Sequence, residues 1–336
     1  MLNRRTCIAA TVLGITPWAR GAPRTLQACL DQWKDDDHPD LRAVVVARNG
    51  RVTAERYFGD ARPDELHDVR SAGKSITSLL VGAAVDRGAI SGVDDQVGCY
   101  WPRARGTAVG DVRIDQLLTM RSGLAAWDED PTSPGNEDRL DEASDPVSFM
   151  LTVPREQPPG TLYRYNSLTA HLAGRLVEQA TGQDLESFAS DVLFEPLGVR
   201  RWQWARDVSG HVKGQGNLSL TARDLARIGE MVRNCGVFDG KRVMSAWWIE
   251  QSTRARVSIA DVDPYADGYG YFWYAKQFRA GGADVRVTFA SGNGGNKIYV
   301  VPELGLVVAM TSSAYGHGYG QRRSQDILRL LLAASE

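Results

Sequence analysis

Four β-rich runs in the last third of the chain decide the fold: Tyr269-Gly-Tyr-Phe-Trp-Tyr274, Val285-Arg-Val-Thr-Phe-Ala290, Asn296-Lys-Ile-Tyr-Val-Val301 and Leu306-Val-Val-Ala-Met-Thr311. Aromatic and β-branched residues dominate these runs, and turns that contain glycine or proline separate them. Their length and spacing predict an antiparallel meander.

A hairpin near the other end of the chain supplies two more strands. The β-rich runs Ala43-Val-Val-Val-Ala-Arg48 and Val52-Thr-Ala-Glu-Arg-Tyr-Phe58 flank the dipeptide Asn49-Gly50. Asn-Gly between two such runs is the strongest short-range signal for a β-hairpin. The most economical packing joins this hairpin and the C-terminal meander in one antiparallel sheet.

Helical patterns fill the middle of the chain and flank the strands. Apolar residues recur at helical spacing in the segments 24–34, 72–87, 168–180, 221–233, 245–251 and 327–332. The predicted fold class is therefore α+β, an antiparallel sheet flanked by helices with an inserted, mainly helical region. We predict a sheet domain of residues 22–70 plus 265–336 and a helical insertion of residues 71–264. A substrate cleft is expected at their junction.

Composition narrows the class of function. The chain has 336 residues, 43% of them hydrophobic and 24% charged, and its formal net charge is −2. These values are typical of a globular protein, and they lack the basic excess of a nucleic-acid-binding protein. We therefore expect no nucleic-acid partner, while the oligomeric state does not follow from the sequence.

The first two dozen residues follow the pattern of an export signal. Arg4 and Arg5 precede an apolar run at 8–15 and a small-residue stretch at 19–22. The apolar run is too short to span a bilayer, and no other segment reaches that length. We predict an export signal at residues 1–21, of general or twin-arginine type, a periplasmic protein and no membrane span. An ordinary N-terminal helix is the alternative.

Ser71 and Lys74 lie at the start of the helical segment 72–87, one turn apart on the same face. Amides at a helix N-terminus stabilise negative charge on a serine oxygen and on a nearby oxyanion. A desolvated lysine can lose its proton and act as a base toward such a serine. The pair therefore predicts a nucleophile with its base, the alternative being a capping serine beside a solvated lysine.

Two further segments carry groups that such a serine would need. Tyr165 precedes the helical segment 168–180, and a phenol, which titrates near pH ~10 when free, can relay a proton beside a cation. The glycines of segment 289–296 would let a substrate lie along a strand edge, with a backbone N–H facing its carbonyl oxygen. A buried aromatic residue and a glycine-rich turn are the alternatives.

The segment of Ser71 and Lys74, the segment of Tyr165 and segment 289–296 follow one another as the three motifs do in the serine β-lactamase and penicillin-recognising enzyme family, which this chain resembles. The resemblance is greatest to its class C-like branch, which holds class C β-lactamases, D-alanyl-D-alanine carboxypeptidases, esterases and 6-aminohexanoate-dimer hydrolases. Further matching segments are 88–95, 116–124, 159–161, 195–198 and 221–226. The resemblance covers nearly all of the mature chain and implies the β-lactamase/transpeptidase-like fold.

The resemblance also implies roles for single residues. Ser71 would be the acylated nucleophile, Lys74 its activating base and Tyr165 the relay that protonates the leaving group. The backbone N–H groups of Ser71 and Asn296 would form the oxyanion hole. The third motif falls on Asn293-Gly294-Gly295, which would line the substrate site. No cofactor is implied, and the histidines are scattered without metal-ligand spacing.

Two departures from the family pattern bear on the substrate. The usual Tyr-x-Asn is here Tyr165-Asn166-Ser167, as on the 6-aminohexanoate-dimer hydrolase side of the family, which puts the role of the asparagine in doubt. The usual Lys-Thr-Gly is replaced by Asn293-Gly294-Gly295, so the lysine that attracts a substrate carboxylate is missing.

We therefore predict a serine hydrolase acting on an ester or small linear amide. β-Lactamase or D-alanyl-D-alanine carboxypeptidase activity, and a slowly deacylating sensor, are the alternatives. Tyr163 and Trp127 are weaker candidates for substrate contact.

Overall fold

The computed structural model describes residues 25–335, so the predicted export signal at 1–21 lies outside the described residues. The strands are β1 (Leu41–Arg48), β2 (Arg51–Tyr57), β3 (His67–Asp68), β4 (Gln203–Trp204), β5 (Leu218–Leu220), β6 (Val237–Phe238), β7 (Lys241–Arg242), β8 (Val257–Ser258), β9 (Gly268–Tyr269), β10 (Tyr274–Ala280), β11 (Ala283–Gly292), β12 (Asn296–Val301) and β13 (Leu306–Ser312). The helices are α1 (Leu26–Asp31), α2 (Ala72–Asp86), α3 (Val97–Tyr100), α4 (Ile114–Leu118), α5 (Glu137–Asp141), α6 (Pro146–Thr152), α7 (Ser167–Thr181), α8 (Leu185–Ala189), α9 (Ala222–Arg233), α10 (Ala246–Thr253) and α11 (Tyr319–Ala334).

One large sheet takes strands from both ends of the chain. Within residues 25–335 it has eight strands in the order β2-β1-β13-β12-β11-β10-β9-β8. The paired strands run antiparallel throughout. Strand β1 therefore lies between its hairpin partner β2 and β13, the last strand of the meander. The predicted fold class is confirmed, because hairpin and meander share one antiparallel sheet.

Local sequence explains the N-terminal hairpin and its burial. Asn49 and Gly50 have φ angles of 50° and 81°, the left-handed pair that a two-residue type I′ turn requires. Residues 43–46 of β1 are fully buried. A continuous buried run indicates a strand covered on both faces. Helix α9 packs on β1, β12 and β13, while α1 and α11 contact each other and further strands of the sheet.

The start of the meander differs from the prediction. Residues 269–274 do not form one strand; instead β9 and β10 pair with each other across a tight turn. In that turn Phe272 has a φ of 59°, and its N–H donates to the Leu118 carbonyl at 3.0 Å. Its ring and those of Tyr271 and Trp273 are at most 2% exposed. Packing of these rings into the core therefore overrides the strand propensity of the segment.

The helical region brings the start of α2 to the sheet. Residues 72–84 of α2 are all buried, and the helix packs against α7, α10 and β11. Its N-terminus therefore lies where the sheet meets the helices. Strand β8 lies inside the predicted insertion but pairs with the sheet. The sequence did not predict it, because a strand of two residues is too short to show an alternating pattern. The domain boundaries at 71 and 264 stay a prediction.

Candidate active site

Ser71 lies at the N-cap position of α2, but its hydroxyl makes no capping hydrogen bond. The Ser71 Oγ instead accepts a hydrogen bond from Lys74 Nζ at 2.9 Å. Lys74 is only 2% exposed. The alternative of a capping serine beside a solvated lysine therefore does not describe this pair.

Groups from distant parts of the chain converge on the Lys74 amine. Its Nζ also donates to Ser167 Oγ at 3.1 Å and to the Gln215 carbonyl at 2.8 Å. The same Nζ lies 5.1 Å from the centroid of the Tyr165 ring. The structure thus brings together the predicted Ser71, Lys74 and Tyr165, and it adds Ser167 and Gln215. Gln215 contributes its backbone carbonyl, so the identity of its side chain could not reveal this contact in the sequence.

The altered second motif has a structural explanation. Asn166 caps α7: its Oδ1 accepts from the Thr169 N–H at 2.7 Å, and its Nδ2 donates to the Arg164 carbonyl at 2.9 Å. Ser167 is the first residue of α7 and reaches Lys74. The asparagine therefore orients the helix, while the position that usually carries asparagine presents a hydroxyl to the lysine.

Electrostatics keep the Lys74 amine charged. Burial disfavours the ammonium, but the charges of Tyr165, Glu137 and Asp128 outweigh it and hold the pKa of Lys74 above its ordinary value. The amine is therefore an ammonium at neutral pH, in keeping with the three hydrogen bonds that it donates. An ammonium has no lone pair, so in this state it cannot take the Ser71 proton.

Asp128 is a further charged group beside this centre. Both of its carboxyl oxygens are buried. Burial raises the pKa of Asp128 to about 6, although the Lys74 ammonium opposes this rise. The Asn136 amide donates to the Trp127 and Asp128 carbonyls and holds the loop in place. The acidic run after Trp127 was the only sequence signal for this residue.

Gly292 brings β11 against the turn that carries Ser71. A Cβ built on Gly292 would lie 2.0 Å from the Val69 carbonyl oxygen and 3.1 Å from the Ala72 nitrogen. Only glycine permits this approach. Asn296, the predicted oxyanion donor, lies opposite Gly292 in the strand register and is fully buried. Its side chain binds Asn293 and Ser312, and its backbone role stays a prediction.

The predicted third motif forms the turn between β11 and β12. The Asn293 Oδ1 accepts from the Gly316 N–H at 2.8 Å. Gly294 lies against Ala314 and Tyr315, and Gly295 lies against the first turn of α11. The two glycines therefore contact the C-terminal part of the chain, and the substrate contact of this motif stays a prediction.

The two weaker candidates lie on segments next to the centre. The Tyr163 ring packs edge-on against Tyr269 at 5.2 Å, and burial raises the pKa of Tyr163 well above its ordinary value. Trp127 is 37% exposed, and the Arg164 guanidinium carbon lies 5.4 Å from its ring centroid. Their contact with a substrate also stays a prediction.

Two features are absent from residues 25–335. No cluster of His, Cys, Asp and Glu side chains in this range is arranged to hold a metal ion. No helix in the same range combines the length and apolar character that crossing a bilayer requires.

Comparison with known proteins gives consistent relatives. Residues 40–332 match the family described as Beta-lactamase. A 6-aminohexanoate-dimer hydrolase from Paenarthrobacter ureafaciens is 27% identical over 286 residues, which are 81% of this chain and 72% of the relative. Esterase EstB from Burkholderia gladioli is 30% identical over 201 residues, 52% of this chain and 51% of the esterase.

A solved structure supports the same fold. A penicillin-binding protein homologue from Caulobacter crescentus superimposes with a TM-score of 0.71 at 18% identity, covering 92% of this chain and 95% of that one. The family, the fold class and the hydrolase class predicted from the sequence are therefore confirmed. Since the family match extends over residues 40–332, this chain belongs to the β-lactamase family of serine hydrolases.

Proposed function

We propose that the protein forms an acyl-enzyme on Ser71 and hydrolyses an ester or a small linear amide. One observation carries the proposal: Lys74 Nζ lies 2.9 Å from the Ser71 oxygen and 5.1 Å from the centroid of the Tyr165 ring. A hydroxyl, a buried cation and a phenol at one point are the groups that nucleophilic acyl transfer needs.

In the proposed first step, Tyr165 takes the proton and Lys74 supplies the charge. In this proposal the Lys74 ammonium, which lies 5.1 Å from the centroid of the Tyr165 ring, stabilises the negative charge that Tyr165 carries during proton transfer. The phenolate accepts the Ser71 hydroxyl proton while Oγ bonds to the substrate carbonyl carbon. Tyr165 then protonates the leaving oxygen or nitrogen as its bond to that carbon breaks. Lys74 thus acts through its charge, which refines the base role predicted from the sequence.

In the second step, water restores the enzyme. Tyr165 accepts a proton from a water molecule as the water oxygen attacks the acyl carbon. The bond from that carbon to Ser71 Oγ breaks, the free acid leaves, and the proton returns to Oγ. The oxyanion of each step is held by the Ser71 N–H, at the positive end of α2, and by an N–H of segment 292–296. Asn296 is the predicted second donor.

The proposed substrate class rests on the altered motifs and the relatives. The third motif lacks the lysine that attracts a carboxylate, which disfavours β-lactams and peptides ending in D-alanine. The names of the two sequence relatives specify a hydrolase of 6-aminohexanoate dimers and an esterase. Esters and short linear amides are therefore preferred to β-lactams, and 6-aminohexanoate dimers are a first amide to test.

The decisive experiment compares Ser71→Ala with Ser258→Ala, a substitution at an exposed serine of β8. On p-nitrophenyl esters, Ser71→Ala is expected to lose at least ~10³-fold in kcat/KM, and Ser258→Ala to behave like the wild type. Undiminished hydrolysis by a folded Ser71→Ala protein would overturn the proposal.

Mass spectrometry and a substrate panel separate the alternatives. A hydrolase returns to its apo mass after the ester is consumed, whereas a sensor keeps a long-lived adduct on Ser71. The panel holds short-chain esters, 6-aminohexanoate dimers, nitrocefin and D-alanyl-D-alanine peptides. We expect turnover of the first two groups; faster turnover of nitrocefin or of the D-alanyl peptides would replace the proposed substrate class.

We propose further that residues 1–21 direct export to the periplasm, because Arg4 and Arg5 precede a short apolar run. N-terminal sequencing of protein from cell fractions tests this. Processed protein in the periplasmic fraction is expected, with a new N-terminus near residue 22. Full-length protein confined to the cytoplasm would contradict the proposal.

A further inference from the structure

A second serine–lysine pair lies at the end of β11. Ser291 of β11 and Lys297 of β12 are directly opposite each other in the strand register. The pairing of β10 with β11 ends at Tyr274 and Phe289, so residues 290–292 extend beyond it. Ser291 is partly exposed, whereas Lys297 is 1% exposed. Ser291 is therefore more exposed to solvent than the lysine behind it.

The contacts of Lys297 centre on that hydroxyl. Its Nζ donates to Ser291 Oγ at 2.6 Å and lies 5.0 Å and 5.9 Å from the ring centroids of Phe289 and Tyr299. Gln321 of α11 places its Oε1 3.5 Å from the same Oγ. The amine thus has a nucleophilic hydroxyl on one side and two aromatic faces nearby, which stabilise a cation.

The charge state of Lys297 differs from that of Lys74. Burial lowers the pKa of Lys297 to about 7, against the opposing effect of the Asp263 carboxylate. The amine is hydrogen-bonded to the Ser291 hydroxyl. A large fraction of this amine is therefore neutral near pH 7. A neutral amine at hydrogen-bond distance from a hydroxyl is the arrangement of a general base poised at the operating pH.

We propose that Ser291 is a second acyl-accepting serine, with Lys297 as the base that takes its proton. Ser291 Oγ attacks the carbonyl carbon of an activated ester while Nζ accepts the hydroxyl proton. The bond from that carbon to the leaving oxygen breaks, and the leaving group departs as an alkoxide or phenolate. The products are an O-acyl Ser291 and a Lys297 ammonium, held near the Phe289 and Tyr299 rings. The ligand class is a small activated ester, and the inference does not depend on Ser71.

The test uses the full chain carrying Ser71→Ala, so that the proposed function cannot contribute. This protein is incubated with p-nitrophenyl acetate between pH 6 and pH 9, and the acetylated residue is identified by peptide mass mapping. We expect one acetyl group on Ser291, added at a rate that rises with pH around a midpoint of about 7. Adding Ser291→Ala should abolish this adduct.

Two variants at the lysine separate a base from a neighbouring charge. In the Ser71→Ala background, Lys297→Met and Lys297→Arg should each slow acetylation of Ser291 at least tenfold, because neither offers an amine that is neutral near pH 7. Circular dichroism verifies that each variant is folded, and Lys297→Gln replaces a variant that is not. The proposal is overturned if Ser291 is not acetylated, if the acetyl group lies on Lys297, or if folded lysine variants react at the unchanged rate.

Discussion

The two serine–lysine pairs have similar geometry and opposite electrostatics. Lys74 lies 2.9 Å from Ser71 Oγ, and Lys297 lies 2.6 Å from Ser291 Oγ. Both lysines are almost wholly buried, at 2% and 1% exposure. Yet the pKa of Lys74 is held above its ordinary value, whereas the pKa of Lys297 falls to about 7.

The difference lies in the charges that surround each amine. Tyr165, Glu137 and Asp128 all favour the ammonium at Lys74, but Asp263 alone opposes the effect of burial at Lys297. Desolvation penalises a buried cation unless anionic groups compensate for it. Distance and burial therefore do not decide the role of a serine–lysine pair; its anionic neighbours do. In the two proposals, the lysine therefore acts as a charge at the first pair and as a base at the second.

The largest expected effect separates the two lysines by activity. Lys74→Met should lower kcat/KM for p-nitrophenyl esters at least ~10³-fold, since the charge beside Ser71 Oγ and Tyr165 is lost. The loss of kcat/KM in Lys297→Met should be at least a hundredfold smaller than the loss in Lys74→Met. Steady-state kinetics measure both, with Lys241→Met on exposed β7 as the control. Equal losses at the two lysines would break the distinction.

The next effect tests whether Tyr165 accepts the Ser71 proton, the role that we propose for Lys297 at the second pair. Removing the phenol oxygen by Tyr165→Phe should cost about 10²–10⁴-fold in kcat, the usual range for a proton-transfer group. Tyr100→Phe in α3 is the matched control, because it removes the same atom at a hydroxyl that binds Ser91 and Asp95 and lies outside the candidate site. A loss of less than tenfold in Tyr165→Phe would return the proton-accepting role to Lys74.

The comparison also predicts opposite effects on stability. Between pH 7 and the ordinary lysine value near ~10.4, the unfolded chain binds a proton at Lys297 that the folded protein releases. The resulting penalty is largest below pH 7 and shrinks as the pH rises. Lys297→Met should therefore raise the free energy of unfolding by about 2–4 kcal/mol at pH 6, and by less at pH 9.

At Lys74 the sign is reversed. Its raised pKa stabilises the folded state below the ordinary lysine value, and that contribution disappears only above it. Lys74→Met should therefore lower the free energy of unfolding throughout pH 6–9. Urea denaturation at several pH values measures both variants. A change in the free energy of unfolding of Lys297→Met that is the same at pH 6 and pH 9 would contradict the charge state assigned to Lys297.

The smallest predicted effect concerns one of the anionic neighbours. Asp128→Asn removes a carboxylate that raises the pKa of Lys74. Activity that requires the ammonium should then be lost at lower pH, so the alkaline limb of kcat/KM should move to lower pH. Glu129→Gln, at the exposed neighbouring position, is the control. An equal shift of the alkaline limb in both variants would contradict a specific effect of the Asp128 carboxylate on the pKa of Lys74.

Ordered local signals made most of the fold predictable. Asn49-Gly50 fixed the hairpin, and the β-rich runs after residue 285 became β11, β12 and β13. The prediction of one strand over 269–274 was wrong, because strand propensity is a local property whereas the burial of the aromatic rings depends on the tertiary structure. Strand β8 is too short to have a detectable period.

The candidate site was predictable where one side chain carries the chemistry. Ser71, Lys74 and Tyr165 are such residues, and the structure brings them together. The Gln215 carbonyl and the close approach of Gly292 are backbone features that any sequence position could supply. The direction of Lys297 depends on the register of β11 and β12, which residue spacing does not reveal.

The pairing of β1 with β13 has a consequence for synthesis and quality control. Strand β1 is translated well before its partner at Leu306–Ser312, which begins 258 residues after the end of β1 at Arg48. Until then, a long apolar strand has an open edge that invites association with other chains. A premature stop before residue 306 should therefore produce insoluble aggregates and not a partly active fragment, even though the residues of the proposed Ser71 centre have already been translated.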